Sequence, residues 1–141
     1  MRTPRQILAE ATTIAVVGAS RESDKPSYTV PLQLQRYGWR VIPVNPYADQ
    51  IWGERCYRRL ADIPEDLRRQ IDIVNIFRPS EQAAAVVSEA IAIGAPAVWL
   101  QQDIMSAEGR RLAEEAGIDY VENYCTAVER AVSQLSKRAA A

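Results

Sequence analysis

VVGASRESDKPSY, residues 16–28, ends an apolar run (TIAVV) on a glycine, crosses a stretch of small and charged residues, and opens a helix-like segment at Pro26. Strand, tight turn and helix start are the parts of a nucleotide-binding corner. Gly18 permits a sharp turn and close approach of a ligand to the backbone, and N–H groups of the loop and of the next helix start attract anionic oxygen. Arg21 and Lys25 add two cationic side chains to the loop. A single glycine after a strand also suits a plain strand-ending turn, and the two cations also suit a solvated surface.

The rest of the chain repeats the alternation. Short β-branched runs at 13–17 (TIAVV), 40–44 (RVIPV), 72–77 (DIVNIF), 97–100 (AVWL) and 118–121 (IDYV) read as short, largely buried strands. Helical stretches are expected at 27–37, 80–93, 106–116 and 126–135. Ser80 and Ser106 stand at their starts, and Gly38, Gly94 and Gly117 at their ends. Residues 51–57 read as a short edge strand, 59–63 as a brief helical turn closed by Pro64, and 4–10 as an extra N-terminal helix. Residues 1–135 are expected to form one domain, with 136–141 (SKRAAA) as a frayed tail. Strand–helix alternation of this kind argues for right-handed βαβ units around a parallel sheet, an α/β fold.

Composition narrows the function. The 141 residues carry 48% hydrophobic and 25% charged side chains with a net charge of -1, an ordinary globular balance without the basic excess of a nucleic-acid binder. No apolar run approaches the ~20 residues that cross a bilayer, and the N-terminus lacks the apolar core of a signal peptide, so a cytoplasmic location is expected. Cys56 and Cys125 are too few and too far apart for a disulfide framework or a zinc site, and both are expected as reduced thiols. The chain has no histidine, which removes the commonest general base and metal ligand and any phosphohistidine intermediate.

In an open parallel sheet the ligand lies beyond the carboxyl ends of the strands, near the point where strand order reverses. The residues just past those ends are Gly18-Ala19-Ser20-Arg21, Asn45-Pro46, Arg78-Pro79, Gln101-Gln102 and Asn123-Tyr124-Cys125. Ser20 and Ser23 occupy the positions of the second and third glycines of GxGxxG, and Asn45 stands where an NAD site places an acidic residue. There is no GxxxxGK[ST]. The corner therefore favours a phosphorylated, nucleotide-like ligand other than NAD or ATP.

VGASRESDKPSY, YGWRVIPVNP (37–46), IWGERCYRRLADIP (51–64), DIVNIFRPSEQ (72–82), EAIAIGAPAVWLQ (89–101) and YCTAVE (124–129) together resemble the small single-domain CoA-binding proteins, relatives of the CoA-binding domain of the succinyl-CoA synthetase alpha subunit. The resemblance runs from about Thr13 to Glu129. It implies a Rossmann-like open parallel sheet with helices on both faces, strand order 3-2-1-4-5-6, and 51–57 as the edge strand. It implies that Gly18, Ala19, Ser20 and Arg21 cradle the CoA pyrophosphate and that Lys25 reaches a phosphate, the 3′-phosphate among the candidates. It places Asn45 and Pro46 beside the adenosine half, Phe77, Arg78 and Pro79 on the flank of the pocket, and Gln101 as its closure from the fifth strand. Asn123-Tyr124 departs from the Asp-Arg pair common before the cysteine, and Arg130 stands where a histidine is common.

The larger relatives ligate acyl groups with an additional domain carrying a phosphorylatable histidine. The expectation is therefore a non-catalytic carrier or sensor of coenzyme A or an acyl-CoA, with the small molecule as partner and no role for nucleic acid, membrane or metal. An NAD(P)- or other nucleotide-dependent enzyme or redox sensor on the same fold is the alternative. Trp99 is expected in the core, with Trp39 and Trp52 also more naturally packing residues than adenine platforms. Cys125 reads as space-filling at a helix start or, alternatively, as a thiol that exchanges with CoA.

Overall fold

The computed structural model describes residues 1–138. Five parallel strands form one sheet in the order β2-β1-β5-β6-β7, comprising β1 (Thr13–Val17), β2 (Arg40–Val44), β5 (Ile73–Ile76), β6 (Ala97–Leu100) and β7 (Asp119–Val121). β3 (Gln50–Ile51) and β4 (Glu54–Arg55) pair only with each other, antiparallel. The helices are α1 (Pro4–Glu10), α2 (Pro26–Arg36), α3 (Glu65–Arg68), α4 (Ser80–Ala92), α5 (Ala107–Ala116) and α6 (Thr126–Val132), with a 3-10 turn at Leu60–Asp62. The result is the parallel α/β sheet that the strand–helix alternation implies, in the Rossmann-like form that the resemblance implies.

Strand alternation divides the core in two, because successive side chains point to opposite faces. Ala15, Val17, Ile42, Val44, Val74, Ile76, Val98 and Leu100 meet Ala83, Val86, Val87 and Ala90 of α4 and Ala113 of α5. Ile14, Val16, Val41, Ile73 and Trp99 meet Ile7 and Leu8 of α1, Leu34 of α2 and Trp39 on the other face. Burial on both faces is why the strands read as unbroken apolar runs.

Local signals set the helix ends. Thr3 and Gln6 exchange bonds in a capping box ahead of Pro4, a signal absent from the expectations for 4–10. The Ser106 hydroxyl accepts from the Gly109 N–H at 2.9 Å, and Gly117 ends α5 at φ +72. Ser80 does not cap α4: Pro79 holds that position, and the Ser80 hydroxyl accepts from the Met105 N–H at 3.0 Å.

The expected edge strand at 51–57 is replaced by a hairpin. Trp52 (φ 56) and Gly53 (φ 76) both take left-handed backbone, which turns the chain back on itself. Only Tyr57 then reaches the sheet, through one parallel bridge to Val44, with the Tyr57 N–H on Pro43 O at 3.1 Å and the Asn45 N–H on Tyr57 O at 2.8 Å. Strand order otherwise follows the expectation. Of the tail expected to fray, residues 136–138 are tied down: the Lys137 N–H donates to Tyr37 O at 2.7 Å and an Arg138 guanidinium N–H to Arg36 O at 3.0 Å. The remainder, 139–141, lies outside the described residues. Among the described residues no helix is long and apolar enough to cross a membrane.

Candidate functional site

β1 and β5 are neighbours in the sheet, but the helices that follow them pack on opposite faces, α2 on one and α4 on the other, so a crevice is expected at the carboxyl ends of this pair. A cleft of about 430 Å³ opens there, within the ordinary range for small-molecule sites. Gly18 and Val17 line it from β1, Pro46 and Val44 from β2, Arg58 and Arg59 from the segment after Tyr57, and Arg78 with one face of α4 from the β5 side.

Gly18 is the geometric pivot. Its φ is +88, and a β-carbon there would stand 3.2 Å from both Arg78 Cδ and the Phe77 carbonyl carbon. Glycine thus lets the Arg78 side chain lie across the β1 turn. The Gly18 N–H donates to Val44 O at 3.1 Å and the Ser20 N–H to Ser27 O at 3.2 Å, so two of the loop's donors hold the loop itself. Ala19 is buried, and the Ser20 hydroxyl accepts from the Glu22 N–H at 3.0 Å.

The cations differ in their freedom. Arg21 and Lys25 are exposed on the loop and do not line the cleft. Lys25 pairs with Glu22 at 2.8 Å, and that hydrogen bond raises the ammonium's pKa and lowers the carboxylate's. Arg78 donates to the neutral Gln82 amide, which leaves its charge uncompensated by that partner. Phe77 is half-buried against the α1–α2 face, and Pro79 starts α4.

Asn45 acts as a clamp. Its Nδ2 donates to Ala19 O at 2.7 Å while Oδ1 accepts from the N–H groups of Tyr47 at 2.6 Å and Ala48 at 3.1 Å. The amide is committed to joining the β1 and β2 loops, and Pro46 beside it faces the cleft. Gln101 departs from its expected place as the closure of the pocket. It is buried, and its Oε1 accepts from Asn75 Nδ2 at 3.3 Å and the Thr126 N–H at 3.4 Å. This network satisfies the buried Asn75 amide between β5, β6 and α6, and Gln101 is not among the residues that line the cleft.

Arg58, Arg59, Glu81, Gln82 and Glu89 line the cleft without having been singled out in the sequence. The pair in YRRL and the i, i+4, i+8 row of Glu81, Ala85 and Glu89 were the available signals. Glu122 and Glu129, on either side of the last strand–helix corner, both have partners. Glu122 accepts from the Tyr120 hydroxyl at 2.8 Å and faces Arg110 at 3.7 Å, and buried Glu129 accepts from the Ser133 hydroxyl. Burial and then Glu122 push the Tyr120 phenol above its usual range. Both cysteines are free; Cys56 is buried, which raises its thiol pKa, and Cys125 is half-exposed at the start of α6. Trp39 and Trp99 are core residues, the latter donating to Tyr124 O at 2.8 Å. Among the described residues no group of three or more cysteines and carboxylates is placed to hold a metal ion.

Residues 12–131 match a family described as a CoA binding domain. The protein YneT of Bacillus subtilis (strain 168) is 35% identical over 130 residues, spanning 92% of this chain and 93% of that protein. A solved structure of a hypothetical protein from Pyrococcus horikoshii OT3 superposes with a TM-score of 0.85 at 33% identity, covering 92% of this chain and 88% of that one. The ADP-forming acetate–CoA ligase II of Archaeoglobus fulgidus is 32% identical over 104 residues, 72% of this chain but only 15% of the ligase.

Proposed function

The chain belongs to the CoA-binding domain family, and on that premise we propose that it binds coenzyme A or an acyl-CoA in the Gly18–Arg78 cleft as a cytoplasmic, non-catalytic carrier or sensor. The observation that carries the reading is Arg78 lying across the Gly18 turn at the strand-order reversal, where it meets a phosphate arriving at the sheet's carboxyl edge. Gly18, Ala19, Ser20 and Arg21 form the turn that the pyrophosphate approaches, and Pro46, Phe77 and Pro79 shape its surroundings. Asn45 serves the site by holding the two loops together. Lys25 sits farther out, where it adds to the field around the loop.

The case against catalysis rests on chemistry. With no histidine in its 141 residues, this chain cannot form the phosphohistidine that the ligation mechanism implied by the resemblance requires. The match to the acetate–CoA ligase of Archaeoglobus fulgidus covers 15% of that enzyme, so ligation belongs to the whole enzyme and is not carried over.

Titration calorimetry with CoA, acetyl-CoA, NAD, NADP and ATP tests the proposal. CoA or acetyl-CoA is expected to bind, and Arg78→Ala to weaken binding by about tenfold, the low end for a hydrogen bond to a charged group. Binding of NAD or NADP without response to CoA overturns it, and an unchanged affinity in Arg78→Ala removes the role of Arg78. Mass spectrometry of small molecules retained by the natively purified protein identifies the acyl group.

A further inference from the structure

Resting on the CoA reading, we propose that Arg58 recognises the phosphate on the ligand's ribose and so makes the cleft selective for a ribose-phosphorylated nucleotide. In doubly wound sheets the pyrophosphate lies at the turn after the first strand and the ribose at the end of the second. An acidic residue there binds ribose hydroxyls, and an arginine accommodates a ribose phosphate.

Here the end of β2 carries no free acid, because Asn45 stands there with its amide already bonded to Ala19, Tyr47 and Ala48. Tyr57 is fastened to the same strand end by its bridge to Val44, so the chain leaves the sheet edge at Arg58 and Arg59, and both line the cleft with Gly18. A tandem arginine is thus delivered to the ribose position by the bridge between Tyr57 and the end of β2.

The three cleft arginines divide the work by their neighbours. Arg78 lies at the β1 turn, within reach of the pyrophosphate. Arg59 is paired with Asp62 at 3.2 Å and also feels Glu89, so its charge is balanced locally. Arg58 makes no direct ion pair among the described residues, although Asp62 feels its charge at longer range, and it is exposed on the β2 side. Glu81 and Glu89, on the cleft face of α4, repel phosphate from that wall and confine anionic groups to the strand ends. Lys25, the sequence's candidate for the 3′-phosphate, is outside the cleft lining and held by Glu22.

The test is calorimetry with CoA and dephospho-CoA on the wild-type protein, Arg58→Ala and Arg58→Lys, with NADP and NAD as a second pair. Wild type is expected to bind CoA about tenfold more tightly than dephospho-CoA. Arg58→Ala is expected to erase that difference by weakening CoA alone, and Arg58→Lys to keep part of it. Melting curves should be unchanged, since Arg58 is exposed. Equal wild-type affinity for CoA and dephospho-CoA, or an equal loss for both in Arg58→Ala, overturns the proposal while leaving CoA binding intact. Preference for NADP over NAD, erased by Arg58→Ala, with no CoA binding, would overturn the CoA reading and keep the ribose-phosphate contact. No binding of any of the four overturns both.

Discussion

Gly18→Ala separates backbone strain from crowding at the site. Gly18, Gly94 and Gly117 all have positive φ, at +88, +80 and +72, but a β-carbon meets nothing within 4 Å at Gly94 or Gly117. At those two positions alanine costs only the left-handed backbone, about 1–2 kcal/mol. Alanine also restricts the unfolded chain and so offsets a few tenths to 1 kcal/mol, a contribution that cancels between the three variants. At Gly18 the β-carbon stands 3.2 Å from the Phe77 carbonyl carbon and from Arg78 Cδ. Relieving both contacts shifts β5's end and the arginine, an overpacking cost of about 1–3 kcal/mol beyond the shared strain.

At about 4 °C per kcal/mol for a chain of this size, Gly18→Ala should melt some 4–12 °C below Gly117→Ala by calorimetry or circular dichroism. The displaced Arg78 should also lower CoA affinity, which Gly94→Ala and Gly117→Ala should leave alone. Equal melting temperatures for Gly18→Ala and Gly117→Ala would refute the close approach of Arg78 and Phe77 to the turn.

Two further outcomes follow from the site. Asn45→Ala removes the 2.7 Å bond that joins the β1 and β2 loops and the 2.6 and 3.1 Å bonds that hold the β2 loop itself, and should destabilise by about 1–3 kcal/mol in urea titration. CoA affinity should fall with it, and a variant as stable as wild type would contradict the clamp. At pH 8, Cys125 should react with a thiol-specific disulfide reagent in the folded protein, while Cys56, buried and with its thiol pKa raised by that burial, should react only on unfolding. A CoA adduct on Cys125 after incubation with CoA disulfide, reversed by reductant, would make that thiol part of the site. Equal rates for both cysteines would contradict the burial of Cys56.

Several departures from expectation share one physical cause. Residues 51–57 have the composition of a strand, yet Trp52 adopts φ 56 to make a hairpin with Gly53, a conformation no propensity assigns to tryptophan. Gln101 follows a strand end like the cleft-lining residues Gly18, Pro46 and Arg78 of other corners. It is claimed instead by Asn75, 26 positions earlier, whose buried amide needs an acceptor. Ser80 has the residue type of a helix cap but is used to tie down Met105.

By itself the sequence determined the sheet strands and their helices, because two-sided burial writes an apolar run and helix ends write their own prolines, serines and glycines within a few residues. It also determined the Gly18 turn and, through the absence of histidine, that none of the 141 residues can carry a phosphohistidine. The tertiary structure alone decided which polar groups are free. Arg58 and Arg59 reach the cleft through the Val44–Tyr57 bridge, and Asn45 Nδ2 and the Gln101 side chain are occupied by partners far away in the chain. A buried hydrogen-bonding group must be satisfied by whatever the fold brings near it, and that neighbour is not written in local periodicity.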